Sequence, residues 1–288
     1  MQQHNLTMAL NTRIITATIL IIVFAAGVVL LPTIWLALLL GIVPLFGIVE
    51  WLKLAGFKNY QFKIILLSIC TLLMLLFLGL ILHAQNLTLA THLISIALMI
   101  TVLWWLLTTW RIYKIKTIKP QNKENLGTVL LGTYILLTTW SSMVWLHTKP
   151  HGPWLLLFLL ILIWIADIGA FFAGRRWGHV KLAPLLSPSK TREGVYGAMI
   201  GAVLWSDILA SYYGTTILEY LGLILLCLVT AGASIIGDLY ESLLKRERNL
   251  KDSGAILPGH GGVLDRIDSL TAAAPVFVLG LMILGVIS

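Results

Sequence analysis

The chain has 288 residues, 59% hydrophobic and 11% charged, with a net charge of +8 and a mean hydropathy of +0.94. An ordinary soluble domain is about 45–50% apolar and about 25% charged, so this composition excludes a water-soluble monomer. The 24 glycines show no three-residue period, there are two cysteines and large aliphatics dominate, which excludes collagen, a disulfide scaffold and a disordered polymer.

A spanning helix needs about 20 mostly apolar residues to cross about 30 Å of hydrocarbon. Nine stretches qualify: 14–31, 33–52, 64–83, 92–110, 127–146, 153–173, 194–213, 218–240 and 267–287. The expected fold is therefore an all-α polytopic integral membrane protein of about nine transmembrane helices. Pro32 separates the first two spans. The first apolar run is longer than a secretory h-region and is followed directly by another span, so it reads as a retained anchor. Cys70 and Cys227 fall inside apolar runs and read as buried thiols.

With nine spans the connections alternate sides, and the basic residues test the count. Arg13, Lys53, Lys58, Lys63, the cluster Arg111 to Lys123, the group Arg175 to Arg192, and the group Lys245 to Arg266 all fall on the side of the N-terminus. Only Lys149 falls on the other, so 19 of 20 are segregated. By the positive-inside rule the N-terminus is cytoplasmic and the C-terminus faces outward. The positive charge is thus a topology signal and gives no support to a nucleic-acid partner; basic loops beside anionic headgroups account for most of it. Residues 1–126 hold four spans and a basic loop, and 127–288 form the expected catalytic region, with long cytoplasmic loops at 174–193 and 241–266.

An acid inside a bilayer costs about 2.5–3.5 kcal/mol on insertion scales, so Glu50, Asp167, Asp207 and Asp238 each require a reason. Asp167 and Asp238 are placed near cytoplasmic helix ends, where both can face the long loops. Asp207 lies about 20 Å deep along its own helix at 1.5 Å per residue, where snorkelling or one interhelical hydrogen bond explains it. Glu50 stands beside Trp51 and Lys53, where interface anchoring competes with a site role.

The segment from Gly237 to Leu270 is the densest in chemistry. Asp238 and Glu241 share a helix face, as do Ser242 and Arg246; a Glu241 to Lys245 pair ending the helix would account for those two residues alone. Then come Lys251, Asp252, a Pro258-Gly259 turn, His260, Gly261 and Gly262, and Asp265, Arg266 and Asp268 at the last span. Glycines admit an anion to backbone N–H groups, Lys and Arg neutralise it, and a helix N-terminus attracts it. Carboxylates in such a place need a cation between them and the phosphate, and Mg²⁺ held by one or two carboxylates plus substrate phosphates is the usual one. Asp238, Asp265 and Asp268 are the candidate metal ligands. His260 is either a general base or a hydrogen-bond donor to phosphate. The other loop brings Ser187, Ser189, Lys190, Thr191 and Glu193 to the entrance of an apolar helix, which suits phosphate or a plain helix cap. Neither loop is a Walker A sequence, and neither GxGxxG nor paired-Cys zinc spacing occurs.

These residues resemble the signature of the phosphatidate cytidylyltransferases, or CDP-diacylglycerol synthases. Ser242, Lys245, Arg246, Lys251, Asp252, Gly254, Leu257, Pro258, His260, Gly261, Gly262, Asp265, Arg266 and Asp268 fit its long form. The likeness extends to the run from Asp167 to Gly174 and to that from Ser187 to Gly194, with Ser189 and Arg192 where relatives often carry Lys and Trp. It is specific over about residues 164–270. The resemblance implies transfer of a cytidylyl group from CTP to phosphatidate with release of pyrophosphate, dependence on Mg²⁺, a bacterial-type inner membrane with the site facing the cytoplasm, and a homodimer. It further implies a catalytic set of Asp238, Lys245, Arg246, Lys251, Asp252, His260, Asp265, Arg266 and Asp268. Asp167, Ser187, Ser189, Lys190, Thr191, Glu193, Glu241, Ser242, Gly261 and Gly262 would bind substrate. A membrane kinase or nucleotidyltransferase acting on another lipid phosphate, such as an isoprenoid, is the nearest alternative. A transporter would place its charge near the bilayer midplane, whereas here the charge is interfacial.

Overall fold

The computed structural model describes residues 21–82, 87–254, 256 and 261–287. Its described helices are α1 (Ile21–Leu30), α2 (Thr33–Leu54), α3 (Tyr60–Leu82), α4 (Leu87–Lys114), α5 (Leu126–His147), α6 (Gly152–Trp177), α7 (Arg192–Tyr213), α8 (Ile217–Glu247) and α9 (Leu264–Ile283). Eight of these are long and apolar enough to cross a membrane. The first expected span, 14–31, lies partly outside the described residues.

Two departures from the sequence expectation matter for the site. The α8 helix continues to Glu247, through the first turns of the segment expected as loop. Glu241 and Lys245 pair at 3.0 Å across one turn, and Leu239, Leu243 and Leu244 are buried, so packing extends the helix. The connection from 178 to 191 is not wholly irregular: β1 (Lys181–Ala183) and β2 (Ser187–Thr191) form an antiparallel ribbon pairing Lys181 with Thr191 and Ala183 with Ser187. Its turn buries Leu186. The otherwise helical fold therefore carries one small ribbon.

Local sequence sets the helix starts. Asn125 caps α5 by accepting from the Thr128 amide, Thr191 caps α7 by accepting from the Gly194 amide, and Thr216 with Glu219 forms a full capping box on α8. Pro153 occupies the first turn of α6, where its missing N–H leaves no bond unmade.

Small residues set the tightest helix contacts, as is usual where lipid removes the hydrophobic drive for association. At Gly169 and Gly197 the backbones of α6 and α7 meet so closely that a Cβ on either would overlap the other's carbonyl. Gly237 of α8 lies against the Asp268 carbonyl of α9 in the same way. This second approach brings Asp238 and Asp268 together.

The connections after α2, α4, α6 and α8 gather at one end of the bundle. Arg248 donates to Leu54 O at 2.7 Å, Gln121 O at 2.6 Å and Lys123 O at 2.8 Å, and Asn125 N donates to Ala55 O at 3.0 Å. An aromatic group formed by Trp51, Trp104, Trp105 and Tyr240 supports this end from within. At the other end, the ring of His147 bonds Thr33 Oγ1 at 2.9 Å and Val28 O at 3.0 Å. There Lys149 is buried with its Nζ 3.6 Å from the Trp145 ring centroid, and burial lowers its ammonium below the ordinary lysine range. Asp207 accepts a hydrogen bond from Tyr220 across α7 and α8, the second of the two explanations the sequence offered for it.

Gly237→Val should destabilise the protein by about 1–3 kcal/mol, the usual cost of overpacking. Gly79→Ala, where a Cβ meets nothing within 4 Å, should leave the melting temperature in detergent unchanged or raise it. Equal melting temperatures for the two variants would show that the α8 to α9 contact is not close-packed.

Candidate active site

The site is built where α8, α9, the ribbon and the connection from 248 to 263 converge. Asp238 and Asp167 lie nine and ten residues before the ends of α8 and α6, deeper along their helices than expected, because both helices run past the anticipated boundaries. Lys190, on β2, reaches Asp238 Oδ2 at 2.6 Å, and Ser242 Oγ donates to Asp238 Oδ1 at 3.4 Å. Asp167, Ser189, Lys190, Thr191 and Asp238 line one polar cavity of about 340 Å³, to which Arg175 also contributes. The sequence left Arg175 unassigned.

A second cluster adjoins it. Lys245 Nζ stands 2.6 Å from Asp265 Oδ1 and 3.0 Å from Glu241 Oε2, with all three side chains largely buried. The other Glu241 oxygen, Oε1, is buried without a hydrogen-bond partner among the described residues. Asp268 lies in the electrostatic field of Asp238 and Glu241 in that of Asp268. Its side chain accepts from the Ser269 amide at 2.7 Å. Asp265 Oδ2 accepts from Ser253 N at 3.0 Å, Ser253 Oγ at 3.0 Å and Gly262 N at 2.8 Å. Both oxygens of Asp265 are thus engaged by donors from the protein itself.

For Glu50 the sequence left interface anchoring and a site role open, and the structure decides against anchoring. Fully buried, Glu50 accepts from Ser253 Oγ at 3.0 Å, Val263 N at 3.0 Å and Leu264 N at 2.9 Å. The carboxylate of α2 therefore caps α9 and binds the preceding connection. The N-terminus of α9, expected to receive phosphate, is already occupied by an internal anion. An acid in an apolar helix was the visible signal; Ser253, which joins Glu50 to Asp265, gave none.

The remaining expected residues divide clearly. Gly261 has a positive φ of 82°, a left-handed conformation that favours glycine, and Gly262 packs against Ser253 and Glu50. Arg246 donates from Nε to Leu186 O at 3.3 Å, tying α8 to the ribbon turn. Thr191 caps α7 while also lining the cavity, and Glu193 accepts from the Val180 amide at 3.1 Å, which fastens the chain ahead of the ribbon. Ser187 Oγ is 3.4 Å from Ser189 Oγ. Lys251 and Asp252 are exposed on the connection and Arg266 on the first turn of α9. His260, Leu257 and Pro258 lie outside the described residues.

Fold and site together define an integral membrane protein, a helical bundle with a charged cleft at one end. A family model described as the cytidylyltransferase family matches residues 11–284. A phosphatidate cytidylyltransferase of Haemophilus influenzae is 36% identical over 281 residues, covering 93% of this chain and 97% of the relative. That of Pseudomonas aeruginosa is 36% identical over 272 residues, covering 93% and 95%. That of Brucella suis is 44% identical over 135 residues, covering 46% and 48%. The chain belongs to the cytidylyltransferase family, as the resemblance in its C-terminal half implies.

Glu50→Ala should cost about 2 kcal/mol or more, since it removes charge-assisted bonds and leaves buried amides unpaired. Hydrogen exchange of the Val263 and Leu264 amides should accelerate in this variant. Unchanged exchange at those amides would refute the cap.

Proposed function

We propose that the chain transfers a cytidylyl group from CTP to phosphatidate, forming CDP-diacylglycerol and pyrophosphate. The observation that carries this reading is the polar cavity in which Lys190 faces Asp238 and Asp167 beside the buried acids of α8 and α9. The names of the relatives supply the substrates. A phosphatidate oxygen attacks the α-phosphorus of CTP, the new P–O bond forms as the bond to the β-phosphate breaks, and pyrophosphate leaves with the electron pair. The attacking oxygen is already anionic, so no covalent enzyme intermediate is required. Lys190 and Arg175 are the cations of the cavity, placed to hold phosphate oxygens as charge moves toward the leaving group.

Mg²⁺ belongs to this proposal. Among the described residues no three carboxylate, histidine or cysteine side chains converge on a metal position, so an ion here would take further oxygens from substrate phosphates, as Mg²⁺ commonly does. Two protein donors suit it: Asp238 and Asp268 are neighbouring carboxylates, the number that Mg²⁺ commonly takes beside phosphate oxygens. Asp265, already held by four donors, serves the loop instead. When bound, the ion would neutralise phosphate charge.

The segregated basic residues and the gathering of their connections at one end support a cytoplasmic site in a bacterial-type inner membrane. CTP would reach it from water and phosphatidate from the inner leaflet. A homodimer completes the reading, and light scattering of the detergent-solubilised protein at twice the chain mass would support it.

The test is transfer of label from α-labelled CTP into lipid by purified protein supplied with phosphatidate and Mg²⁺. Lipid label should match the pyrophosphate released. Release of a nucleoside diphosphate would instead identify a kinase. Asp238→Asn, nearly isosteric but uncharged, should lower kcat by about 10²–10³-fold, the scale for losing one well-placed electrostatic group. Near-normal turnover with unchanged Mg²⁺ dependence would remove Asp238 from the mechanism.

A further inference from the structure

The ribbon between α6 and α7 carries a surface that the site does not use. One side of it packs inward: Leu186 is buried in an apolar cluster with Leu239 and Leu243 of α8, and Leu182 and Ala183 lie against that cluster. The other side faces outward, with Val180 46% and Leu185 45% exposed, and Trp177, at the end of α6, is 61% exposed. From Arg175 to Arg192 the chain has five basic residues and no acid. Arg176 and Lys181 are exposed and form no ion pair among the described residues.

The length of α8 gives the level at which this surface stands. Its 31 residues span about 46 Å at 1.5 Å per residue, about 16 Å more than the hydrocarbon core. With Ile217 at the far edge of the hydrocarbon, the stretch from about Asp238 onward leaves the core and passes among the headgroups. The ribbon lies beside that stretch, since Lys190 reaches Asp238 and Leu186 O accepts from Arg246 Nε. Facing water, large apolar side chains at the base and turn of a hairpin would be an adhesive patch. Facing headgroups, with cations among them, they have the composition of an interfacial segment, whose apolar groups enter the upper acyl layer while Arg and Lys meet lipid phosphates.

We propose that the ribbon is seated in the headgroup layer of the surrounding bilayer, with Trp177, Val180 and Leu185 in the upper acyl region and Arg176 and Lys181 on anionic headgroups. The partner is host lipid and not substrate: a phosphodiester such as phosphatidylglycerol satisfies the cations and offers no phosphate monoester as acceptor. The seat has a consequence for the site, and this part rests on the cytidylyltransferase reading above. Ser189, Lys190 and Thr191 of β2 line the polar cavity, so the depth at which the ribbon rides sets where Lys190 stands. Arg246 and Glu193 fasten the ribbon at its turn and its base, and anionic lipid holds the outer side between them. The surface charge of the bilayer thereby tunes turnover.

The test uses the whole protein in nanodiscs of phosphatidylcholine, alone or in equimolar mixture with phosphatidylglycerol. Nitroxide labels are placed at Val180→Cys, at Leu185→Cys and, as an aqueous reference, at Asn122→Cys on the exposed α4 to α5 connection, with Cys70 and Cys227 replaced by alanine. In the mixed discs the first two labels should collide more with oxygen than with a water-soluble nickel chelate, and the Asn122 label should do the reverse. Arg176→Gln/Lys181→Gln tests the charge. At saturating CTP and a fixed, small fraction of phosphatidate, the unaltered protein should turn over about fivefold faster in the mixed discs, the scale of one cation at an anionic surface. The double variant should lose that difference while matching the unaltered protein in phosphatidylcholine. Labels at 180 and 185 that favour the nickel chelate would overturn the seat. A rate difference absent from the unaltered protein, or kept in the folded double variant, would overturn its coupling to the site. Should the unaltered protein turn over no phosphatidate, the reaction assigned above fails, while the label depths still decide the seat.

Discussion

Lys245 stands between Glu241 and Asp265, at 3.0 and 2.6 Å, and the charged end of the molecule depends on this arrangement. Removing one partner of a buried ion pair typically costs about 3–5 kcal/mol because the other charge is left uncompensated. Here the consequence would spread further. Fixed by Lys245 on one oxygen, Asp265 presents the other to Ser253 and Gly262, and Ser253 in turn bonds Glu50. One lysine of α8 thereby determines where the connection before α9 lies and how it meets α2.

That chain of contacts changes the electrostatic character of the site. A free helix N-terminus is a ready place for phosphate, but Glu50 takes the first amides of α9. The cations available to an incoming anion must therefore come from side chains. Arg246 and Arg248 are held by backbone carbonyls, which makes them part of the frame. Lys190 is placed differently: it extends from a ribbon strand into the polar cavity, and the ribbon is fastened through Arg246 at its turn and through Glu193 beside its first strand.

The spans were legible because lipid imposes long apolar runs, and several helix boundaries follow from Pro, Gly and capping residues. The end of α8 was not, since the charged stretch from Glu241 to Glu247 reads as loop until the burial of Leu243 and Leu244 is known. The ribbon escaped for a related reason: Ser187 to Thr191 is short, polar and contains Pro188, and its pairing with Lys181 to Ala183 is a tertiary fact. Within the site, residue types pointed to phosphate chemistry and to segments that the fold brings together. Which acid is held by the loop and which lies beside Asp238 could not be read from spacing, because Asp265 and Asp268 sit three residues apart on one helix and differ only in what α8 and Ser253 bring to them. Glu50 illustrates the limit most plainly, as its partners lie more than two hundred residues away in the chain.

Lys190 and Asp238, 2.6 Å apart, give the cleft an internal neutrality that any anionic ligand must disturb. A phosphate entering the cavity competes with Asp238 for the lysine. Each step toward a Lys190 to phosphate contact frees a carboxylate that already lies in the field of Asp268. The liberated negative charge sits in a partly buried setting, where it is poorly screened, and favours a cation at that position. On the proposed reaction, phosphate binding and cation binding would be coupled through a single lysine, each raising the affinity for the other by the same factor.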